Sequence, residues 1–211
     1  MSTESDARFW DRTSSRYAKS AVADPAGYER TLDRTRALLK SDAKVLELGC
    51  GTGTTALRLA GHVDAYLATD ISTEMIAIAN AKHAAAHAPT LAFRTATAEA
   101  LASEAALFDV VLGFNYLHLV RDLPGTLRAV HALLAADGLF ISKTPCVGDM
   151  NPLIRLALPV MRAIGKAPHA GIFRAKELGE HIDAAGFEIL ATESHATKGE
   201  DNRPYIVARK K

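Results

Sequence analysis

Cysteine is scarce in this chain. Cys50 and Cys146 are the only two among 211 residues and stand far apart, which excludes a disulfide framework and leads us to expect free thiols in a reducing compartment. An excess of one charge sign is also missing. With 25 basic and 24 acidic side chains the formal charge is +1, too balanced for phosphate-backbone binding, so nucleic acid is not an expected partner. Long hydrophobic runs are lacking: the most apolar stretch, Leu153 to Ile164, is too short to span a bilayer and is broken by Arg155, Pro159 and Arg162. The first ten residues carry Glu4, Asp6 and Arg8 and no apolar core of a secretory signal, so the expected location is cytoplasmic, with peripheral membrane contact left open. Internal repeats and low-complexity linkers are absent too, and no metal-ligand set is read. A single domain of this length can bury roughly 70% of its unfolded surface.

What is present is alternation. Short β-rich apolar runs at residues 44–48, 65–69, 91–95, 110–114 and 139–143 are separated by alanine- and leucine-rich helical segments at 54–60, 73–87 and 123–134, the last ended by a turn signal at Asp137-Gly138. Strands alternating with helices predict an α/β, Rossmann-like, doubly wound sheet of mostly parallel strands. Two more runs, 187–193 and 205–209, flank a polar loop from His195 to Pro204 and predict seven strands in all, with an antiparallel last strand. Helices at 7–19 and 25–40, the second opened by Asp24-Pro25, have no strand partner and are expected to cap the sheet or the ligand cleft.

The densest chemical signal is the run Val45-Leu-Glu-Leu-Gly-Cys-Gly-Thr-Gly-Thr54, which follows a strand and opens a helix. Gly49, Gly51 and Gly53 let the backbone turn tightly and approach a ligand with no Cβ in the way. A dinucleotide fingerprint reads GxGxxG and sets pyrophosphate on the helix N-terminus, whereas the spacing here is GxGxG with Thr54 sixth. Glu47, two residues before the first glycine, would repel a pyrophosphate but suits a ligand bearing an ammonium and a sulfonium, and S-adenosylmethionine has both. Asp70, ending the second strand, is placed to accept hydrogen bonds from two ribose hydroxyls. The bland readings are a strand-end carboxylate at Glu47 and a helix cap at Asp70, although Ser72 is available as that cap.

On these residues, together with Asp70-Ile-Ser-Thr-Glu-Met75, Phe108 to Leu119 and Leu133 to Ile141, the chain resembles the class I S-adenosylmethionine-dependent methyltransferases, particularly the quinone and small-metabolite group, over about Phe9 to Lys143. The resemblance implies S-adenosylmethionine as cofactor. It places Glu47 and Gly49, with Cys50, Gly51 and Gly53 in the same turn, near the methionine half, Asp70 on the ribose, and Ile71 and Met75 against adenine. Thr97 stands where the family has an acidic adenine contact, followed by Ala98 and Glu99, so altered polar contacts are expected there. The resemblance also sets Asn115 beside the transferable methyl and closes Tyr17 over the cofactor; the plain alternative for Trp10 and Tyr17 is one apolar helix face.

Methyl transfer from a sulfonium is an in-line displacement in which alignment supplies most of the acceleration, so a base is optional. Asn115, His118 and His169 are the candidate catalytic residues, the histidines as bases for a hydroxyl or carbon acid. Phe114-Asn115-Tyr116-Leu117 stands where amino-methylating relatives carry an Asn/Asp-Pro-Pro-Tyr/Phe tetrapeptide, which turns the reading toward a small-molecule acceptor, apolar or anionic. The segment from Asn151 to Lys166 is amphipathic and basic, with Arg155, Arg162 and Lys166 on one side; it reads equally as a substrate lid or as a core helix. The expected division is cap helices 1–42, cofactor core 43–145, lid insertion 146–175 and C-terminal strands 176–211. A nicotinamide-dependent oxidoreductase and a noncatalytic cofactor-binding module are the alternatives.

Overall fold

The computed structural model describes residues 3–197 and 201–211; the middle of the polar loop expected at 195–204 lies outside the described residues. The strands are β1 (Lys44–Leu48), β2 (Ala65–Asp70), β3 (Leu91–Thr95), β4 (Phe108–Phe114), β5 (Leu134–Lys143), β6 (Phe187–Glu193) and β7 (Tyr205–Lys210). They form one sheet in the order β3-β2-β1-β4-β5-β7-β6, in which β7 alone runs antiparallel, to both β5 and β6. The expected fold class is therefore the observed one. β1 is buried throughout after Lys44, as a central parallel strand covered on both faces must be. Leu46, Leu48, Val111 and Phe140 build the core on one face; Val45, Tyr66, Leu112 and Ile141 build it on the other. The strand order reverses between β1 and β4, which opens a crevice at their carboxyl ends.

Eight α-helices, with three short 3-10 turns, complete the described fold: α1 (Thr3–Ala18), α2 (Pro25–Arg36), α3 (Thr54–Leu59), α4 (Thr73–Ala86), α5 (Ala98–Ala102), α6 (Leu123–Leu133), α7 (Pro152–Ala163) and α8 (Ala175–Ala184). Asp24 caps α2 by accepting the Gly27 N–H at 3.0 Å, and Pro25 takes the first turn, as the sequence predicts. α2 ends at Arg36 rather than 40. α5 was not expected; Thr97 caps it by accepting the Ala100 N–H at 3.2 Å. The Asp137-Gly138 signal does not separate α6 from a strand at 139. β5 begins directly at Leu134, and the signal becomes an irregularity within it: Asp137 adopts φ 59°, and the register with β4 shifts between Phe108↔Leu134 and Val110↔Leu139.

α1 is fixed across the carboxyl edge through Asp11, whose Oδ1 accepts from the Ser72 hydroxyl at 2.7 Å and the Glu74 N–H at 3.2 Å, joining α1 to the first turn of α4. α7 corrects one expectation. Leu153, Leu156, Val160, Met161 and Ile164 are all exposed, Leu156 at 75% and Met161 at 41%, so core packing does not explain the apolar pattern. No residue of α7 lines the crevice either. Among the described residues no helix is long and apolar enough to cross a membrane.

Candidate functional site

The turn after β1 is built by backbone geometry. Gly49, Gly51 and Gly53 have φ of 68°, 54° and 75°, a region costly for side chains that carry a Cβ. Space matters as well: a Cβ on Gly49 would lie 2.7 Å from the Tyr116 ring, and one on Gly53 would lie 2.5 Å from Phe93. Asp70 joins this turn to the next. Its Oδ2 accepts the Gly51 N–H and its Oδ1 the Ser72 N–H, both at 2.9 Å. Ser72 caps α4 by accepting the Met75 N–H at 3.1 Å, so the capping role does fall to Ser72. Lys82 holds the turn from behind, donating to the Thr52 carbonyl at 3.0 Å and hydroxyl at 2.8 Å.

Above the turn lies a cavity of about 680 Å³. Gly49, Gly51, Asp70, Ile71, Met75 and Thr97 line it, together with Glu99 and Asn115, and Tyr17 of α1 covers it. The Tyr17 ring comes to 3.4 Å of where a Gly51 Cβ would stand, edge-on to Trp10 with centroids 6.0 Å apart. The two aromatics thus form one helix face, and that face closes the cavity.

Four expected contacts are not on its wall. Glu47 is buried at 3% exposure, where its Oε2 accepts the Tyr66 hydroxyl at 2.7 Å, so it is neither a surface carboxylate nor a direct cavity contact. β1 is central, and its alternation turns Glu47 toward Tyr66. Cys50 is buried with its thiol beside the Gly51 carbonyl, Gly53 packs on α4 and β3, and Ala98 is enclosed in the core by α5. Thr97 and Glu99 do line the cavity, but each already has a partner: Thr97 caps α5, and Glu99 Oε1 accepts the Thr126 hydroxyl at 2.6 Å.

This end is electrostatically acidic. Burial raises the Asp70 carboxyl above its ordinary range, opposed by the N–H groups it accepts, and burial pushes Glu47 up to about 7. Burial, followed by the charges of Asp70 and Glu47, raises the Tyr17 phenol. Such surroundings favour a cation and oppose a pyrophosphate.

Past Asn115 the cavity continues between His118, His169, Arg121 and Arg203. Asn115 adopts φ 52° and donates its N–H to the Lys143 carbonyl at 2.8 Å, which fixes the end of β4 on β5. The Gly171 N–H donates to the His118 carbonyl at 2.7 Å and folds the segment after α7 back over the site, bringing His169 beside His118. Arg121 holds Asp6 of α1 through two bonds of 2.7 and 2.8 Å. Asp6, Arg121 and Arg203 were not singled out from the sequence, since only tertiary folding brings them together.

Known proteins resemble this chain in sequence and in fold. The family model described as a methyltransferase domain matches residues 19–192. Among curated proteins, the arginine-hydroxylase NDUFAF5, mitochondrial, of Danio rerio is 30% identical over 200 residues, covering 87% of this chain and 60% of that protein. A ubiquinone biosynthesis O-methyltransferase of Methylocella silvestris is 36% identical over 101 residues, covering 48% of this chain and 39% of that protein. The chain therefore spans less than two thirds of the length of either relative. The magnesium protoporphyrin IX methyltransferase of Synechocystis PCC 6803, solved with bound S-adenosylhomocysteine, superimposes with a TM-score of 0.73 at 18% identity, covering 99% of each chain.

Proposed function

The chain belongs to the methyltransferase-domain family, of the class I S-adenosylmethionine-dependent type that its sequence resembles, and we propose that it methylates a small-molecule acceptor. The observation that carries this is one continuous cavity with an acidic, glycine-floored end and a second end beyond Asn115. Its volume falls within the roughly 300–1,000 Å³ of small-ligand sites. The acidic donor set fits the cofactor. Asp70 holds the ribose, Ile71 and Met75 face adenine with Thr97 and Glu99 at its polar edge, and the Gly49 backbone and Asn115 lie along the methionine half. Bound there, S-adenosylmethionine supplies an electrophilic methyl group on a sulfonium. Tyr17 excludes water from above, and Glu47 acts from behind the turn, through the field rather than by contact.

The same layout argues against the alternatives. An acidic turn without the sixth-position glycine is unsuited to a dinucleotide, and open space past Asn115 is what a noncatalytic module would not need. We retain the division into caps 1–42, cofactor core 43–145, lid insertion 146–175 and C-terminal strands 176–211. The exposed apolar side of α7, next to the strap that carries His169, supports contact with a membrane surface. Incubation with methyl-labelled S-adenosylmethionine and fractionated metabolite extract is expected to label a small molecule. Cofactor binding without transfer of label to any fraction would overturn the proposed activity.

A further inference from the structure

The cavity divides by charge. Around the glycine turn its wall carries Asp70 and Glu99; at the far end stand His118, His169, Arg121 and Arg203, with Arg162 of α7 near enough to act on His169. Acids at the far end are already engaged. Both oxygens of Asp6 are taken by Arg121, and Asp122 caps α6 by accepting the Gly125 N–H at 2.9 Å. The Arg203 guanidinium is exposed and makes no ion pair or hydrogen bond among the described residues. His118 Nδ1 and His169 Nδ1 are buried, and neither has a hydrogen-bond partner among them. Polar atoms left in this state cost free energy unless something binds them.

We propose that this end is an acceptor subsite for an ionised oxygen group, a carboxylate or phenolate, with Arg203 supplying the opposite charge and His118 supplying a hydrogen bond through Nδ1. The proposal rests on reading the cavity as a methyl-transfer site and adds the chemical class of its acceptor. Geometry and chemistry agree. A guanidinium and the His118 imidazole lining one end of the cavity match the two oxygens of a carboxylate, and an ionised oxygen needs no base before it is methylated. Burial first, then the charges of Arg203 and His169, holds His118 down at about 4; burial, Arg162 and Arg121 lower His169, opposed by Asp6 and by its hydrogen bond to the Val120 backbone. Near neutral pH both rings are therefore uncharged, and the one N–H of His169 is already given to the Val120 backbone, which leaves His118 with an N–H to give. Arg203, unpaired among the described residues, is then a cation on the cavity wall that selects the ligand's sign.

The test titrates protein saturated with S-adenosylhomocysteine with benzoate, 4-hydroxybenzoate and 2-naphthoate, each against its neutral amide. At least one acid is expected to bind roughly tenfold more tightly than its amide. Arg203→Gln should abolish that preference and Arg203→Lys should keep part of it, with S-adenosylhomocysteine affinity unchanged in both. In imidazole NMR spectra, binding of the acid should raise the His118 titration midpoint, because a nearby anion favours the imidazolium. If no acid binds, if amides bind equally, or if the preference survives Arg203→Gln, the subsite is overturned. Failure of S-adenosylhomocysteine itself to bind would instead overturn the underlying cofactor reading, and the first titration separates the two.

Discussion

Glu47 illustrates what a side chain's neighbours decide and its sequence position does not. Its spacing from Gly49 points to the cofactor, yet the pleat of β1 sends the carboxylate away from the cavity to the Tyr66 hydroxyl. Burial, opposed by that hydrogen bond and reinforced by the charge of Asp70, pushes Glu47 up to about 7, whereas in the unfolded chain a glutamate titrates near 4.3. Between these values the native state holds a proton that the unfolded state has released. Stability should therefore fall as pH rises from about 4.5 to about 7 and level off above. Glu47→Gln keeps an acceptor for Tyr66 and removes the titration. The difference in unfolding free energy between variant and wild type should thus change by on the order of 3 kcal/mol across that window. Urea melts at pH 5 and pH 7.5 check this, and parallel profiles would show that Glu47 does not titrate there.

At the scale of elements, the strands and most helices were legible because their signals are local: alternation of apolar runs, Asp24-Pro25 before α2, Ser72 before α4. α5 escaped because its five residues are too few for a period to show, although Thr97 with the Ala100 N–H is an ordinary cap. The start of β5 was misplaced because Asp137-Gly138 marks a turn as readily as a strand irregularity, and only pairing with β4 decides between them. For α7 an amphipathic pattern reports that one side is apolar but not what covers it. Met161 is 41% exposed, so Met161→Ala should cost no more than about 0.5 kcal/mol and move the melting temperature by roughly 1–2 °C, not by the amount that a buried methionine would. If α7 helps to cover the acceptor, the same variant should raise the acceptor's KM with the cofactor's KM unchanged. A fall of many degrees would show that α7 is packed more tightly than its exposure indicates.

For the whole molecule, the two ends of the cavity differed in legibility for one reason: distance along the chain. The cofactor end comes from one turn and the next strand, with Gly51 donating to Asp70 across a single βαβ unit, so spacing alone exposed it. The acceptor end joins Asp6 of α1, Arg121 after β4, His169 after α7 and Arg203 before β7, which no local period links. His118 and His169 were candidates as separate histidines; their shared wall, and the cation beside it, came only with the fold. The central claim is that the acidic, glycine-floored end holds S-adenosylmethionine. Calorimetric titration with S-adenosylhomocysteine tests it most directly. Wild type is expected to bind in the micromolar range, and Asp70→Ala is expected to weaken binding by about 1–3 kcal/mol through loss of charge-assisted hydrogen bonds. Absence of heat and of thermal stabilisation with either the cofactor or its demethylated product would contradict the claim, and an unchanged dissociation constant in Asp70→Ala would remove Asp70 from the ribose.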